Sequence, residues 1–256
     1  MEDIVKIKGC SIRMDIQIGL RSLLMALIIS IAFFCSKGFA TNGSLFAGGE
    51  IDTRGQGFTY LGLDVTQPIY KNVSVSGRII PNYLTYRFRS GDELVRAISP
   101  GLYAVAGIKL SWDRTTLGLF GGTEWRNTSL HPDVKNADVR GDTLAALVQG
   151  EFDTYLLSRT NLNLFASFSG TDSFFYERGR IKQQITNLNF KKANTVNLGV
   201  EQFYGRNPDF RQAGGGLILE VYNIPNKISF AFRGGYKHDT TFGSGAYGGL
   251  ELSVSF

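Results

Sequence analysis

Beyond residue 40 this chain contains no sulfur. Both cysteines, Cys10 and Cys35, and all three methionines, Met1, Met14 and Met25, lie before that point. A chain processed there forms no disulfide, has no thiol nucleophile and offers no thiolate to a metal. Histidine is scarce too, with only His131 and His238, too few for a histidine-based metal site. No stretch after residue 40 has the ~20 consecutive apolar residues that a membrane helix needs, and few windows hold a helical period. Charge is close to balance. Of 27 Lys/Arg and 22 Asp/Glu, five and three fall in the first 40 residues, leaving 22 and 19. So mild an excess of positive charge does not point to nucleic acid.

The first 40 residues have a layout of their own. Lys6, Lys8, Arg13 and Arg21 make a basic start, and Leu23 to Phe34 is apolar apart from Ser30. Ser36-Lys37-Gly38-Phe39-Ala40 then puts small residues at the last and third-last positions. These are the three parts of a secretory signal peptide, with cleavage expected after Ala40. Residues 1–40 are read as this leader and 41–256 as one domain, the alternative being an uncleaved anchor helix.

The second region is dominated by alternation. Leu162, Leu164, Ala166 and Phe168 interleave with Asn161, Asn163, Phe165, Ser167 and Ser169. Ile228, Phe230 and Phe232 interleave with Ser229, Ala231 and Arg233. Val196, Leu198 and Val200 do the same with Thr195, Asn197, Gly199 and Glu201. Leu102 to Leu110 repeats the pattern, and so does the chain end, where Leu250, Leu252, Val254 and Phe256 alternate with Glu251, Ser253 and Ser255. Period two is a strand with one apolar and one polar face. A closing strand that ends in Phe is the ending of bacterial outer-membrane barrels, and a bulk hydropathy near zero suits a wall with one face of each kind.

Turn residues divide the region into twelve strands, roughly 43–53, 56–67, 71–88, 99–112, 115–127, 142–156, 160–170, 173–186, 194–206, 210–223, 227–237 and 244–256. The fold class is all-β, an antiparallel transmembrane barrel of about twelve strands. An even count returns both chain ends to one side. Tight turns at 67–70, 113–114, 157–159 and 224–226 then share that periplasmic side, and longer loops at 89–98, 127–141 and 238–243 share the other. The connection at 187–193 is the exception, a longer one on the short-turn side. Tyr70, Trp112, Tyr155 and Tyr222 near one rim, with Trp125, Phe174 and Phe242 near the other, suit interfacial girdles. A soluble β-sandwich would also alternate, but needs neither girdles nor a terminal Phe.

Signals of catalysis are thin. His238, beside Thr240, Thr241 and Ser244, is the one place where a base and a hydroxyl nucleophile approach each other in sequence. Gly214-Gly215-Gly216 lacks the strand-to-helix context and the Lys of a phosphate loop. No catalytic residue, cofactor or metal ligand is assigned. Arg178, Arg180 and Lys182 occupy alternate positions of one strand and so share a face, which hydrocarbon excludes. They are expected in the lumen, with Asp64, Glu124, Glu201, Glu220 and Glu251 on the polar faces of other strands. Two readings follow: a basic track for an anionic or hydroxyl-rich glycan, or a lumen closed by ion pairs. Trp125, His131 and Asp133 form a candidate glycan-contacting loop, since aromatic faces stack on sugar rings.

Glu50 with Tyr60-Leu61-Gly62, Tyr83-Leu84-Thr85-Tyr86-Arg87, Ile98-Ser99-Pro100-Gly101, Gly118 to Gly121, Leu130-His131-Pro132-Asp133, Gly199-Val200-Glu201, Gly205 and Asp209-Phe210-Arg211 resemble the cellulose biosynthesis protein BcsS family. The resemblance covers about 43–256. It implies a non-enzymatic outer-membrane accessory of bacterial cellulose production, a channel, dock or surface tether for the exported glucan. The implied partners are outer-membrane lipid, cellulose and the cellulose synthase and secretion complex; none is a nucleic acid. A small porin for oligosaccharides or anions, unrelated to cellulose, stays open as an alternative, as does an outer-membrane enzyme acting on lipid. Gly38 and Ala40 generate a direct prediction: N-terminal sequencing of the protein from isolated outer membranes begins at Thr41, and a retained 20–36 segment would instead indicate an anchor.

Overall fold

The computed structural model describes residues 42–134, 137, 139–188 and 194–256. The expected leader lies outside these residues, as does most of the 187–193 connection. Twelve strands follow one another: β1 (Asn42–Asp52), β2 (Gly57–Tyr70), β3 (Val73–Ser90), β4 (Glu93–Trp112), β5 (Thr115–His131), β6 (Gly141–Leu157), β7 (Thr160–Ser169), β8 (Phe174–Leu188), β9 (Asn194–Arg206), β10 (Arg211–Asn223), β11 (Ile228–Asp239) and β12 (Gly243–Ser255). Each is antiparallel to its sequence neighbours, and β1 closes on β12. No helix among the described residues is long and apolar enough to cross a membrane. Hydrocarbon offers backbone groups no partner, so a wall of strands is viable there only when it has no edge.

Closure runs to the last residue. The Gly43 and Phe256 backbones exchange two hydrogen bonds of 2.9 Å. The Phe256 ring lies over Gly43, where any Cβ would collide with it. The shortest strand has 10 residues, and ten residues at ~3.3 Å each, tilted ~40°, rise about 25 Å, the height of an outer-membrane apolar band.

The two faces are inverted relative to a water-soluble protein. Leu119, Leu144, Leu217 and Phe232 are at least half exposed, while Asp64, Glu124, Glu201 and Asp239 are each no more than 4% exposed. Large exposed apolar area on this scale is costly in water and favourable against lipid. Leu164, Phe230, Phe232 and Leu252 are exposed on the outward face. Leu162 and Val254 share that face by alternation.

Strand limits agree with the sequence reading to within a few residues except on one side. The long loop expected at 89–98 is instead the tip of a hairpin. β3 and β4 run on to a two-residue turn at Gly91-Asp92, with Gly91 at φ +60°, a conformation natural to glycine. Arg89, Asp92, Glu93 and Arg96 gave this segment a loop's composition. Between them Val95 and Ala97 are fully buried against Leu130, with Tyr86, Phe88 and Val134 packed alongside. β5 likewise continues to His131, so the outer loop there is 132–140. Three girdle assignments also change. Tyr155 and Tyr222 line the barrel's cavity, and the Phe174 ring lies against inward-facing Gly205. Alternation sends each of them inside with its charged neighbours, whereas Trp112 and Trp125 face outward.

The register separates Leu164 from Asn163. Leu164 is 43% exposed on the outer face, while Asn163 faces inward and donates to Asp153 Oδ2 at 3.3 Å. Leu164→Arg is expected to cost ~2–4 kcal/mol and to impair assembly, while Asn163→Arg is tolerated. Heat-modifiable gel mobility of the two variants checks this, and equal impairment would refute the register.

Candidate functional site in the barrel interior

The inward face of β8 presents Arg178, Arg180 and Lys182 in a row, as alternation requires. Their partners come from strands far away in sequence. Arg180 makes a forked pair with Glu251 of β12, both bonds 2.7 Å, and donates through Nε to Glu201 of β9 at 2.9 Å. Four strand steps separate β8 from β12, so the fork is a chord across the lumen. Lys182 donates to Glu220 of β10 at 2.6 Å. Arg178 is held more loosely, with Nη1 3.8 Å from Glu251 and Nε without a hydrogen-bond partner.

The same acids serve β11 and β1. Arg233 Nη1 stands 3.0 Å from Glu50 and 3.4 Å from Glu201. Lys237 reaches Glu50 at 3.0 Å and Asp52 at 3.3 Å. The Tyr247 hydroxyl donates to Glu201 Oε1 at 2.9 Å, and the Tyr247 ring meets Phe203 edge-on at 5.4 Å. Toward the loop rim, Arg54 ties Asp52 to Asp239 at 3.1 and 2.8 Å. Glu201 is the hub, with donors from β8, β11 and β12 and a fully buried side chain.

A second cluster fills the opposite half. Asp64 of β2 accepts from Arg78, from Ser76 at 2.8 Å and from Lys109 at 3.0 Å. Arg78 also reaches Glu151 of β6 at 2.7 Å, a second chord, and its guanidinium lies 4.0 Å over the Phe120 ring. Nearer the loop rim, Arg126 donates to Glu124, Asn82 and Tyr103, and Ser169 of β7 donates to Glu124. Sequence reasoning placed the acids on polar faces but assigned no lumen role to Glu50, Arg78, Arg126, Arg233 or Lys237. Their period-two placement opposite apolar residues was the available signal.

At the end bearing Asn42 and Phe256, the lumen holds a cavity of about 610 Å³. Arg180 and Glu251 lie at its inner end. Asp153 and Glu220 face Arg159 and Lys182 around it, with Asn161, Asn163, Asn197, Tyr155 and Tyr222 between them. The wall is rich in donors and acceptors, and its carboxylates and cations nearly cancel.

The candidate glycan loop divides. His131 and Asp133 line a hollow of about 470 Å³ at the loop rim. Asp133 accepts two bonds from Arg140, 2.7 and 3.0 Å, and this contact holds the Arg140 guanidinium above its usual pKa. Trp125 does not join them. It sits within β5, three outward steps below His131, with its side chain on the outer face. His238 Nδ1 lies 3.1 Å from Ser244 Oγ on the exposed outer face, but its neighbour Asp239 points inward to Arg54 and Gln56. Among the described residues no acid orients the imidazole as a triad requires. Among the described residues no cluster of His, Cys, Asp and Glu could hold a metal.

The family model described as cellulose biosynthesis protein BcsS matches residues 32–256. The chain belongs to the BcsS family. No curated protein matches its sequence. Among solved structures, this BcsS chain is similar to an outer membrane channel from Pseudomonas putida F1, with a TM-score of 0.51 at 9% identity over 84% of this chain and 95% of that one. It is similar to a KdgM porin at 0.42 and 11% identity, over 83% and 99%. It is also similar to LpxR from Salmonella typhimurium at 0.45 and 10%, over 82% and 99%. Such identities show fold alone. The BcsS chain is a twelve-stranded bacterial outer-membrane β-barrel from a cellulose biosynthesis family.

The hub generates a stability prediction. Glu201→Gln leaves Arg180, Arg233 and Tyr247 around a neutral amide. Breaking a buried charge cluster on one side costs ~3–5 kcal/mol, which in a chain of this size lowers the melting temperature by roughly 10 °C. Thermal melting in neutral detergent checks this. Glu220→Gln, facing Lys182 at the more open cavity, should cost clearly less.

Proposed function

We propose that this BcsS protein is a non-enzymatic docking component of the cellulose export machinery, a barrel held shut by its own ion pairs. The Arg180–Glu251 chord carries the reading. It crosses the lumen, is braced by Glu201 and Arg233, and is matched in the other half by Arg78–Glu151. A general porin keeps a watered path between separated charges, whereas here opposite charges meet. The His238–Ser244 pair lacks an orienting acid, which weighs against a hydrolase.

The cavity at the end bearing Asn42 and Phe256 is the surface offered to the periplasm, where the secretion complex and the emerging glucan would meet the barrel. Its mixed charges and amides favour an uncharged, hydroxyl-rich partner over an anion. Arg178, Arg180 and Lys182 then act as closure and not as a basic track.

The test replaces all three with Gln. The expected result is a lower melting temperature in detergent, unchanged cellulose at the cell surface, and a parent protein that conducts little in planar bilayers. Deletion of the gene is expected to reduce cellulose display. A triple variant as stable as the parent that loses export would overturn closure and make β8 a transport track.

A further inference from the structure

In the interior, cations are matched to acids. Arg54, Arg78, Lys109, Arg126, Arg180, Lys182, Arg233 and Lys237 each have a carboxylate within 3.1 Å. The outer face at the loop rim does the opposite. Arg87 of β3 stands directly across from Arg96 of β4, and Arg96 directly across from His131 of β5. All three are exposed. Alternation sends them outward, because the intervening Tyr86, Phe88, Val95, Ala97 and Leu130 pack together inside. Arg89 follows on the same face, one step nearer the tip.

Among the described residues, Arg87, Arg89 and Arg96 have no carboxylate at ion-pair distance, and the Arg87 guanidinium lies over Gly55 of the β1–β2 turn. Of the acids nearby, Asp133 is engaged with Arg140 and Asp142 with Asn127 at 2.7 Å, while Asp92 and Glu93 at the hairpin tip make no ion pair with the row. Like charges directly opposite on a sheet destabilise it. The arrangement recurs at the same rim, where exposed Arg206 of β9 lies directly across from exposed Arg211 of β10. Two unrelieved arginine pairs on the outer face of a barrel whose interior cations, Arg178 excepted, lie close to carboxylates call for an anion from outside.

Their height says which anion. Directly below the row on the outer face come Thr85, Ile98 and Ser129, then Tyr83, Pro100 and Asn127, then Leu102, Trp125 and Leu144 at the start of the apolar band. Arg87 is four residues from Tyr83, about 13 Å along the strand and ~10 Å in height once tilted. Tyr and Trp mark the membrane interface, and headgroups add roughly 5–7 Å to each side of the hydrocarbon. Counted from Tyr83, the row therefore stands roughly 3–5 Å beyond the headgroup layer, a distance that arginine stems cover by reaching back toward it. Guanidinium pairs hold a phosphate by forked, charge-assisted hydrogen bonds.

We propose that Arg87, Arg96 and His131 form a binding site for the phosphate of an outer-leaflet lipid, whose acyl chains lie along Leu102, Trp125 and Leu144. Arg206 and Arg211 form a second site of the same kind. The inference is independent of whether the lumen is closed.

The full-length protein in neutral detergent is melted with bisphosphorylated lipid A, with dephosphorylated lipid A and with millimolar inorganic phosphate. The parent is expected to gain several degrees with the first and little with the other two. Arg96→Gln should melt no lower than the parent without lipid, since it removes a like-charge pair. It should need at least ~10-fold more lipid A for the same gain, the loss of one or two charge-assisted bonds. Arg87→Lys/Arg96→Lys keeps the charge without the fork and should retain a reduced gain. Equal protection by dephosphorylated lipid A would overturn phosphate recognition. Equal protection by inorganic phosphate would assign the row to a free anion and overturn the lipid. An undiminished response of Arg96→Gln would overturn the site.

Discussion

Hydrocarbon will not solvate a backbone amide or an ionised side chain, and the rest of this structure depends on that refusal. The first half of it closes β1 on β12 and seats the terminal Phe256 over Gly43, because an edge strand in lipid would strand a row of amides. The second half sorts side chains. Every strand has one face that meets lipid and one that cannot, so leucine, valine and phenylalanine are pushed out and the charged residues are gathered into a narrow lumen. There desolvation makes pairing obligatory. Glu201, with three donors from three strands, is where that pressure is greatest.

An ion-paired lumen is a weak source of net stability but a strong source of specificity. Removing one partner leaves a buried charge, while the assembled set tolerates few other arrangements. The Arg180–Glu251 and Arg78–Glu151 chords join strands that the backbone ladder does not connect. They brace the barrel from within. The cavity at the end bearing Asn42 and Phe256 is lined by amides, tyrosines and charges of both signs.

The long hairpin of β3 and β4, continued by β5, departs most from a minimal barrel. Val95, Ala97 and Leu130 form a small apolar core near the loop rim, so this part of the wall stays ordered beyond its neighbours. That order holds Arg87, Arg96 and His131 in one row. A mobile loop of the same composition would let the arginines separate and relieve their repulsion. The rigid sheet keeps them together.

Much of this was legible in the chain itself. Period two, turn residues and the absence of any helical span pointed to about twelve strands, ten and fourteen staying open, with β9 placed at Asn194–Arg206 to the residue and the lipid face read at Leu164, Phe232 and Leu252. A strand's two faces are a local property, set by the backbone pleat, and local properties survive in sequence. The hairpin tip was misread because arginines and acids between Arg89 and Ile98 look like a solvated loop whether or not Val95 and Ala97 have a neighbour to pack against. What no local pattern carries is which strands meet across the lumen. Arg180 and Glu251 are 71 residues apart and Arg78 and Glu151 are 73 apart. The sequence by itself determined that these charges turn inward; only the closed barrel, by its curvature and register, decided that they meet.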